Sequence, residues 1–328
     1  MGFSELIGHS NQIETLRRAL LNDRLHHAYL FLGPDGVGKR TLAMALAQAI
    51  HCSELQGDYC GRCVNCASII HGNHADVRFI GPLLGKKEIA IQQIRELERE
   101  LRFRSFGGKQ KIAIVDPVTL MNAAAQNALL KTLEEPPAKS LIILIAPNGG
   151  GILPTVRSRC LRLSFAPLPC AEVAAFLQAK HRVKAEEAVF LAAMATGSIG
   201  VALSLDQEGL IEKRKTWTEM LGSLKPGDYQ AAVVTAEALA ATRDGALEFF
   251  KWAESWYRDL LVYRVTRNSE ELVNLDMLAQ IEQQAAASKV ENSLAAMAGI
   301  ADAAAGIQRN LNRRMVLEKL LFGVVGAR

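Results

Sequence analysis

A short apolar run, Ala28-Tyr29-Leu30-Phe31-Leu32, stops at a glycine-rich turn that opens directly into a helix-forming stretch. A continuous apolar run without polar alternation reads as a strand buried on both faces. The turn is Gly33-Pro34-Asp35-Gly36-Val37-Gly38-Lys39, and Thr41-Leu42-Ala43-Met44-Ala45-Leu46-Ala47 follows as helix. Two further runs have the same character. Lys111-Ile112-Ala113-Ile114-Val115-Asp116 ends in an acid, and Leu141-Ile142-Ile143-Leu144-Ile145-Ala146 precedes the flexible turn Gly149-Gly150-Gly151. Helices are predicted between them: residues 10–21, a stretch marked by Ile89, Ile94, Leu97 and Leu101, and residues 119–134, which Pro136-Pro137 halts. Buried strands alternating with helices predict an α/β domain, a parallel sheet covered on both faces.

The turn has the form Gly33-x4-Gly38-Lys39. Backbone N–H groups at such a helix N-terminus suit a diphosphate, and the lysine reaches the terminal phosphates. The candidate nucleotide set is Gly33, Gly36, Gly38, Lys39, Thr41, Asp116 and Asn148, with ATP or ADP as its ligand. Two positions depart from a working site. Arg40 stands where a magnesium-binding Ser or Thr is needed, and Thr41 comes one residue later, rotated by about 100°. Pro117 follows Asp116 where a glutamate would activate water. The loop is therefore expected to hold phosphate better than it cleaves it. The alternative is a strand–helix turn with no ligand.

Four of the six cysteines, Cys52, Cys60, Cys63 and Cys66, fall within one short segment. Clustered thiolates in a reducing compartment read as a metal site, and zinc takes four of them in a closed tetrahedron. The prediction is a structural Zn2+ on these four residues. An iron–sulfur cluster and a redox Cys-x-x-Cys pair are the alternatives, and His51, His71 and His74 stand nearby as substitute ligands. Cys160 and Cys170 lie apart.

After Pro167 and Pro169 the strand signal disappears. Residues 171–180 and 185–195 read as helices, Gly197-Ser198-Ile199-Gly200 punctuates, and from about residue 208 the chain is helical throughout. Trp252, Trp256, Leu260 and Leu261 share a helix face and read as core. The 328 residues carry 49% hydrophobic and 22% charged side chains, which excludes intrinsic disorder, collagen-like repetition and a disulfide scaffold. No apolar run reaches the roughly 20 residues of a membrane span. Met1-Gly2-Phe3-Ser4-Glu5 lacks a signal peptide's basic start and apolar core, so a cytoplasmic location with no membrane partner is expected. A net charge of +4 permits nucleic acid as a partner without arguing for it.

The order of these motifs resembles the clamp-loader subunits of bacterial DNA polymerase III. The glycine-rich loop, the cysteine module and the Asp116 strand come in sequence. Then follow Leu129-Leu130-Lys131-Thr132-Leu133-Glu134-Glu135-Pro136-Pro137 and Ser158-Arg159-Cys160. Ile7-Gly8-His9 and His26-His27-Ala28-Tyr29-Leu30 fit as well, and the specific motifs span the first 205 residues. Trp256-Tyr257-Arg258-Asp259-Leu260-Leu261 and Asn310-Leu311-Asn312 resemble the family's C-terminal helical domain more weakly. The resemblance implies a P-loop AAA+ domain over 1–166 with the zinc module at about 51–76, a helical lid over 167–207, and an all-α collar over 208–328.

It also implies partners: the gamma/tau motor and delta subunits, the sliding clamp, and primer-template DNA. The family's motor subunits carry an arginine after the Gly-Ser-x-Gly segment, whereas Val201 follows Gly200 here. Arg40, Pro117 and Val201 together resemble a member that is not a motor. Such a subunit belongs to a DNA polymerase holoenzyme without hydrolysing ATP itself. By the resemblance, Arg159 acts in trans on a neighbouring subunit's ATP, and bidentate phosphate recognition suits a guanidinium. An ordinary surface ion pair is the plainer reading of Arg159. Glu134-Glu135 reads as a solvated helix end. Arg99, Arg102, Arg104, Lys109 and Lys111 form a basic stretch that would touch DNA phosphates or simply face solvent. Two other functions remain open: a working motor ATPase, and a zinc-module DNA-binding protein with a vestigial loop.

Overall fold

A computed structural model describes residues 2–326. Two compact units divide the chain: the first runs to Glu172 and includes Gly197–Gly200, and the second comprises Val173–Thr196 and the chain from Val201 onward.

The first unit is built as α1 (Ser10–Leu21), β1 (Ala28–Leu32), α2 (Lys39–His51), α3 (Val64–Ile70), β2 (Val77–Ile80), α4 (Ile91–Arg102), β3 (Lys111–Val115), α5 (Ala123–Glu134), β4 (Ser140–Ala146), α6 (Pro154–Arg157) and β5 (Leu161–Ser164). Its five strands are all parallel, in the order β2-β3-β4-β1-β5. The three expected strands are the inner ones, and β2 and β5 close the two edges.

Side chains alternate across the sheet and divide the core in two. Tyr29, Phe31, Ile112, Ile114, Leu141, Ile143 and Ile145 face Leu16 of α1, Leu42 and Leu46 of α2, and Cys66 and Ile69 of α3. Ala28, Leu30, Ala113, Val115, Ile142, Leu144 and Ala146 face Ile94 and Leu97 of α4, Leu129 and Leu133 of α5, and Val156 of α6. Every residue of β3 and β4 is buried. That is why these strands carry no polar alternation. The Asn122 side chain caps α5 by accepting from the Ala125 N–H, and Pro136-Pro137 follows where the helix stops.

The second unit is helical. It contains most of α7 (Cys170–His181), α8 (Ala185–Met194), most of α9 (Ile199–Gln207), α10 (Leu210–Ser223), α11 (Tyr229–Leu239), α12 (Arg243–Thr266), α13 (Leu278–Ala287), α14 (Val290–Gln308) and α15 (Arg313–Gly326). Trp252 and Trp256 are buried, with ring centroids 5.8 Å apart, as core packing predicts. Arg214 is fully buried, stacks 3.9 Å from the Phe190 ring and pairs with Asp276. Asp259, also fully buried, accepts from the backbone N–H groups of Val273 and Asn274 and from the Asn274 amide. The buried Asp259 carboxylate is tolerated because its oxygens are matched by these donors. Among the described residues no single helix is long and apolar enough to cross a membrane.

Leu30 sits in the middle of β1 with no exposure, whereas Leu161 on the edge strand is 45% exposed. Leu30→Ala is expected to cost about 2–5 kcal/mol through lost burial and a residual cavity. Leu161→Ala should cost well under half of that. Urea denaturation followed on the sheet-containing unit measures both.

Candidate functional site

The backbone pins the turn after β1. Gly33 N–H donates to the Ala146 carbonyl at 3.2 Å, and the Phe165 N–H donates to the Leu32 carbonyl at 2.6 Å. A Cβ on Gly33 would lie 2.2 Å from the Phe165 carbonyl oxygen, so only glycine fits there. Gly38 then starts α2 from the left-handed region at φ 109°.

Within the turn, each carbonyl from Gly33 to Val37 has a partner in the same compact unit. Lys39, only 4% exposed, directs its Nζ to the Gly33 carbonyl and, at 2.6 Å, to the Pro34 carbonyl. Ser198 Oγ donates to the Asp35 carbonyl at 2.8 Å, and Gly200 N–H to the Gly36 carbonyl at 2.9 Å. The His9 ring bonds the Val37 carbonyl at 2.8 Å. Burial lowers the Lys39 ammonium below its ordinary pKa, against the pull of Asp35 and Asp116. Arg40 lies 3.7 Å from Asp116 and 5.6 Å from the Phe79 ring centroid. Burial raises the Asp116 carboxyl, and Arg40 and then Lys39 oppose the rise.

The nucleotide set is therefore only partly brought together. Gly33, Gly36, Gly38, Lys39 and Asp116 converge. Thr41 is exposed, one position past Arg40. Asn148 is exposed and accepts from the Gly150 N–H at 2.8 Å, closing its own turn. A diphosphate would have to displace both Lys39 bonds. A metal ion would meet the Arg40 guanidinium beside Asp116. Pro117 supplies no base. These residues do not fit a hydrolysing ATP site.

The four cysteines do converge. The Sγ atoms of Cys52, Cys60, Cys63 and Cys66 all lie within 4.8 Å of one another. Backbone N–H groups point at three of these sulfurs: Leu55 at Cys52 (3.4 Å), Cys63 at Cys60 (3.3 Å) and Cys66 at Cys63 (3.5 Å). The last of these is the N-terminal cap of α3. Such donors stabilise thiolates, and the set fits a metal held by four sulfurs. Burial opposes ionisation of Cys63, but hydrogen bonds from Ser53 and Cys66 outweigh it and pull that thiol down to about 6. Burial pushes Cys66 up to about 12.

The neighbouring histidines are not part of this set. His71 is exposed, while His51 and His74 gather with Asp76 instead. Burial, then His74, pushes His51 down to about 4, so its ring is neutral. Asp76 gives no motif signal in the sequence, since nothing in its local spacing marks it.

Arg159 lies between α6 and β5. Its Nη2 is 2.6 Å from the Glu134 carboxylate, and its Nη1 donates to the Thr155 carbonyl at 2.9 Å. Its side chain is 35% exposed. Glu134 ends α5 and is exposed, as a solvated helix end is expected to be, and it is also the ion-pair partner of Arg159. Parallel register pairs Tyr29 with Leu161 and Leu32 with Ser164. Arg159 precedes β5 and Gly33 follows β1, so they sit at opposite ends of the sheet. About 3.3 Å of rise per residue separates their levels by roughly 17–20 Å. Cys160 is buried, and burial pushes its thiol up to about 12.

The basic stretch is not uniform. Lys109 Nζ donates to the Cys52 carbonyl at 2.9 Å, and Lys111 is buried at the start of β3. Arg99, Arg102 and Arg104 are exposed.

Two family models match the chain: "DNA polymerase III, delta subunit" over residues 8–169 and "DNA polymerase III, delta subunit, C terminal" over residues 208–324. The DNA polymerase III subunit delta' of Pseudomonas aeruginosa is 31% identical over 90% of this chain and 90% of its own length. The Escherichia coli subunit delta' is 27% identical over 92% of this chain and 89% of its own. A Haemophilus influenzae subunit tau/gamma is 32% identical, over 63% of this chain and 31% of its own length. The tau/gamma relative thus matches over less than a third of its own length, whereas these two delta' relatives match over about nine-tenths of both chains. The fold is a parallel α/β layer with a glycine-rich strand–helix turn and a helical C-terminal part, and the chain belongs to the DNA polymerase III delta' subunit family.

Proposed function

We propose that this chain is the non-motor member of a clamp loader, which presents Arg159 to ATP bound on a neighbouring subunit. The observation that carries the reading is the placement of Arg159. It lies at the opposite end of β5 from its own loop, beyond the reach of one side chain, and a third of it is exposed. An arginine so placed serves a phosphate on another chain more readily than one on its own. Supplied in trans, a guanidinium stabilises charge on the transferring phosphoryl group. The loop of this chain supports the same reading, because Lys39 holds loop carbonyls and Arg40 neutralises Asp116. Ser198 and Gly200 brace that loop into a fixed shape.

In this reading residues 1–166 form the AAA+ body, 167–207 the lid and 208–328 the collar. Gamma/tau motors and delta are the neighbours, in a cytoplasmic ring that places the sliding clamp on primer-template DNA. The four cysteines hold a structural Zn2+ that closes the insertion between α2 and β2. The metal would supply cohesion only, since four sulfurs leave no open position.

The decisive experiment is clamp- and DNA-stimulated ATP turnover of a reconstituted loader. With Arg159→Ala, turnover should fall by about tenfold or more while the complex still assembles. Unchanged turnover would overturn the trans role. The isolated wild-type chain should hydrolyse no ATP above background, and robust turnover would make it a motor. Glu134→Gln removes one half-exposed ion pair, of the class that contributes at most about 1 kcal/mol. It should lower loader turnover by no more than about fivefold, through looser positioning of Arg159.

Zinc is checked separately. A mercurial thiol reagent should release zinc from the wild-type chain, and Cys63→Ser should lose that thiol-bound zinc together with thermal stability of the sheet-containing unit.

A further inference from the structure

We propose that His51, His74 and Asp76 form a second divalent-metal site, beside the four-cysteine centre and separate from it. The ligand set is two imidazoles and a carboxylate. It suits Zn2+ or Co2+ better than the oxygen-seeking Mg2+ and Ca2+. His51 ends α2, His74 follows α3 and Asp76 precedes β2. One ligand atom from each lies within 4.8 Å of the others, the same spread that gathers the four sulfurs.

His51 and Asp76 are each prepared for ligation in a different way. His51 is 2% exposed, and its Nε2 has no hydrogen-bond partner. A buried imidazole nitrogen left unmatched is unfavourable, so something polar is expected to meet it. The unpartnered Nε2 is therefore the atom left for a metal.

Asp76 is buried and oriented by three donors. Phe106 N–H reaches its Oδ1 at 3.0 Å, and Gly107 N–H and Ser105 Oγ reach Oδ2 at 3.0 and 3.1 Å. These donors favour the ionised carboxylate and fix its direction without using all its lone pairs. The His74 ring lies 4.4 Å from the His51 ring, and its Nδ1 accepts from the Asp76 N–H at 3.1 Å. A metal ligated through Nδ1 would take the place of that hydrogen bond. Two imidazoles and one carboxylate leave a fourth position for water.

Such an ion would tie the end of α2, the exit of the cysteine module and the start of β2 together. Through Asp76 it would also hold the loop at 105–107. The cysteine centre closes the module on itself, whereas this site would fasten the module to the sheet. The proposal is independent of the trans role of Arg159.

The test uses the full chain carrying its thiol-bound zinc. Zn2+ is titrated by calorimetry, and the bound metal is counted by elemental analysis. Expected is a saturable second uptake of one ion per chain, removed by EDTA without any thiol reagent. His74→Ala should weaken that uptake by at least about tenfold and leave the thiol-bound zinc in place. His51→Gln should do the same. No saturable second uptake by the wild-type chain would overturn the proposal and leave an ordered water as the partner of His51. Undiminished uptake in His74→Ala would overturn it too, by moving the metal elsewhere. The wild-type titration decides by itself if a variant fails to fold.

Discussion

The backbone pairing of β1 with β4, Ala28 against Ile142 through Leu32 against Ala146, is the constraint on which the first unit depends. Both strands are buried on both faces, so their polar backbone groups can be satisfied only by this ladder and its neighbours. The ladder continues into the turn through the bond from Gly33 N–H to Ala146. It thereby sets where the glycine-rich loop begins and how α2 leaves the sheet. β5 pairs on the other side of β1, and its register sends Arg159 to the far end. Loop and arginine are separated by strand geometry alone.

The glycine-rich loop has the outline of a phosphate site and an interior already matched. Its lysine donates to carbonyls that belong to the loop itself, and its one extra cation, Arg40, lies against the acid that would hold magnesium. Hydrogen bonds from His9, Ser198 and Gly200 complete the matching. A loop so satisfied has little to gain from opening. The turn thus keeps the outline of a phosphate site while its carbonyls and its acid are matched from within the chain.

The cysteine module is an insertion that communicates with the sheet. Lys109, in the segment leading to β3, donates to the Cys52 carbonyl, and Asp76 at the module's exit holds the backbone of residues 106 and 107. These polar ties hold the segment to the sheet, and its four converging sulfurs could add a metal to them.

Much of this was legible in the residues themselves. Continuous apolar runs marked β1, β3 and β4, and the cysteine spacing marked the four sulfurs that converge, because both signals are local. The helix expected at 10–21 was legible for the same reason, and the one expected at 119–134 begins four residues later, at Ala123, where Asn122 caps it. The edge strands β2 and β5 were not. They span four residues each, carry Arg78 and Arg162, and are partly exposed, so only their pairing partners make them strands. Nor could spacing reveal that Glu134 meets Arg159, or that His51, His74 and Asp76 converge. Those contacts join residues far apart in the chain, and they exist because in a parallel sheet every crossover returns to the same end, where each strand begins. Local chemistry was written in the sequence. Which distant charges face one another, and which end of the sheet each occupies, followed from strand order and register, because these alone decide the distances between groups.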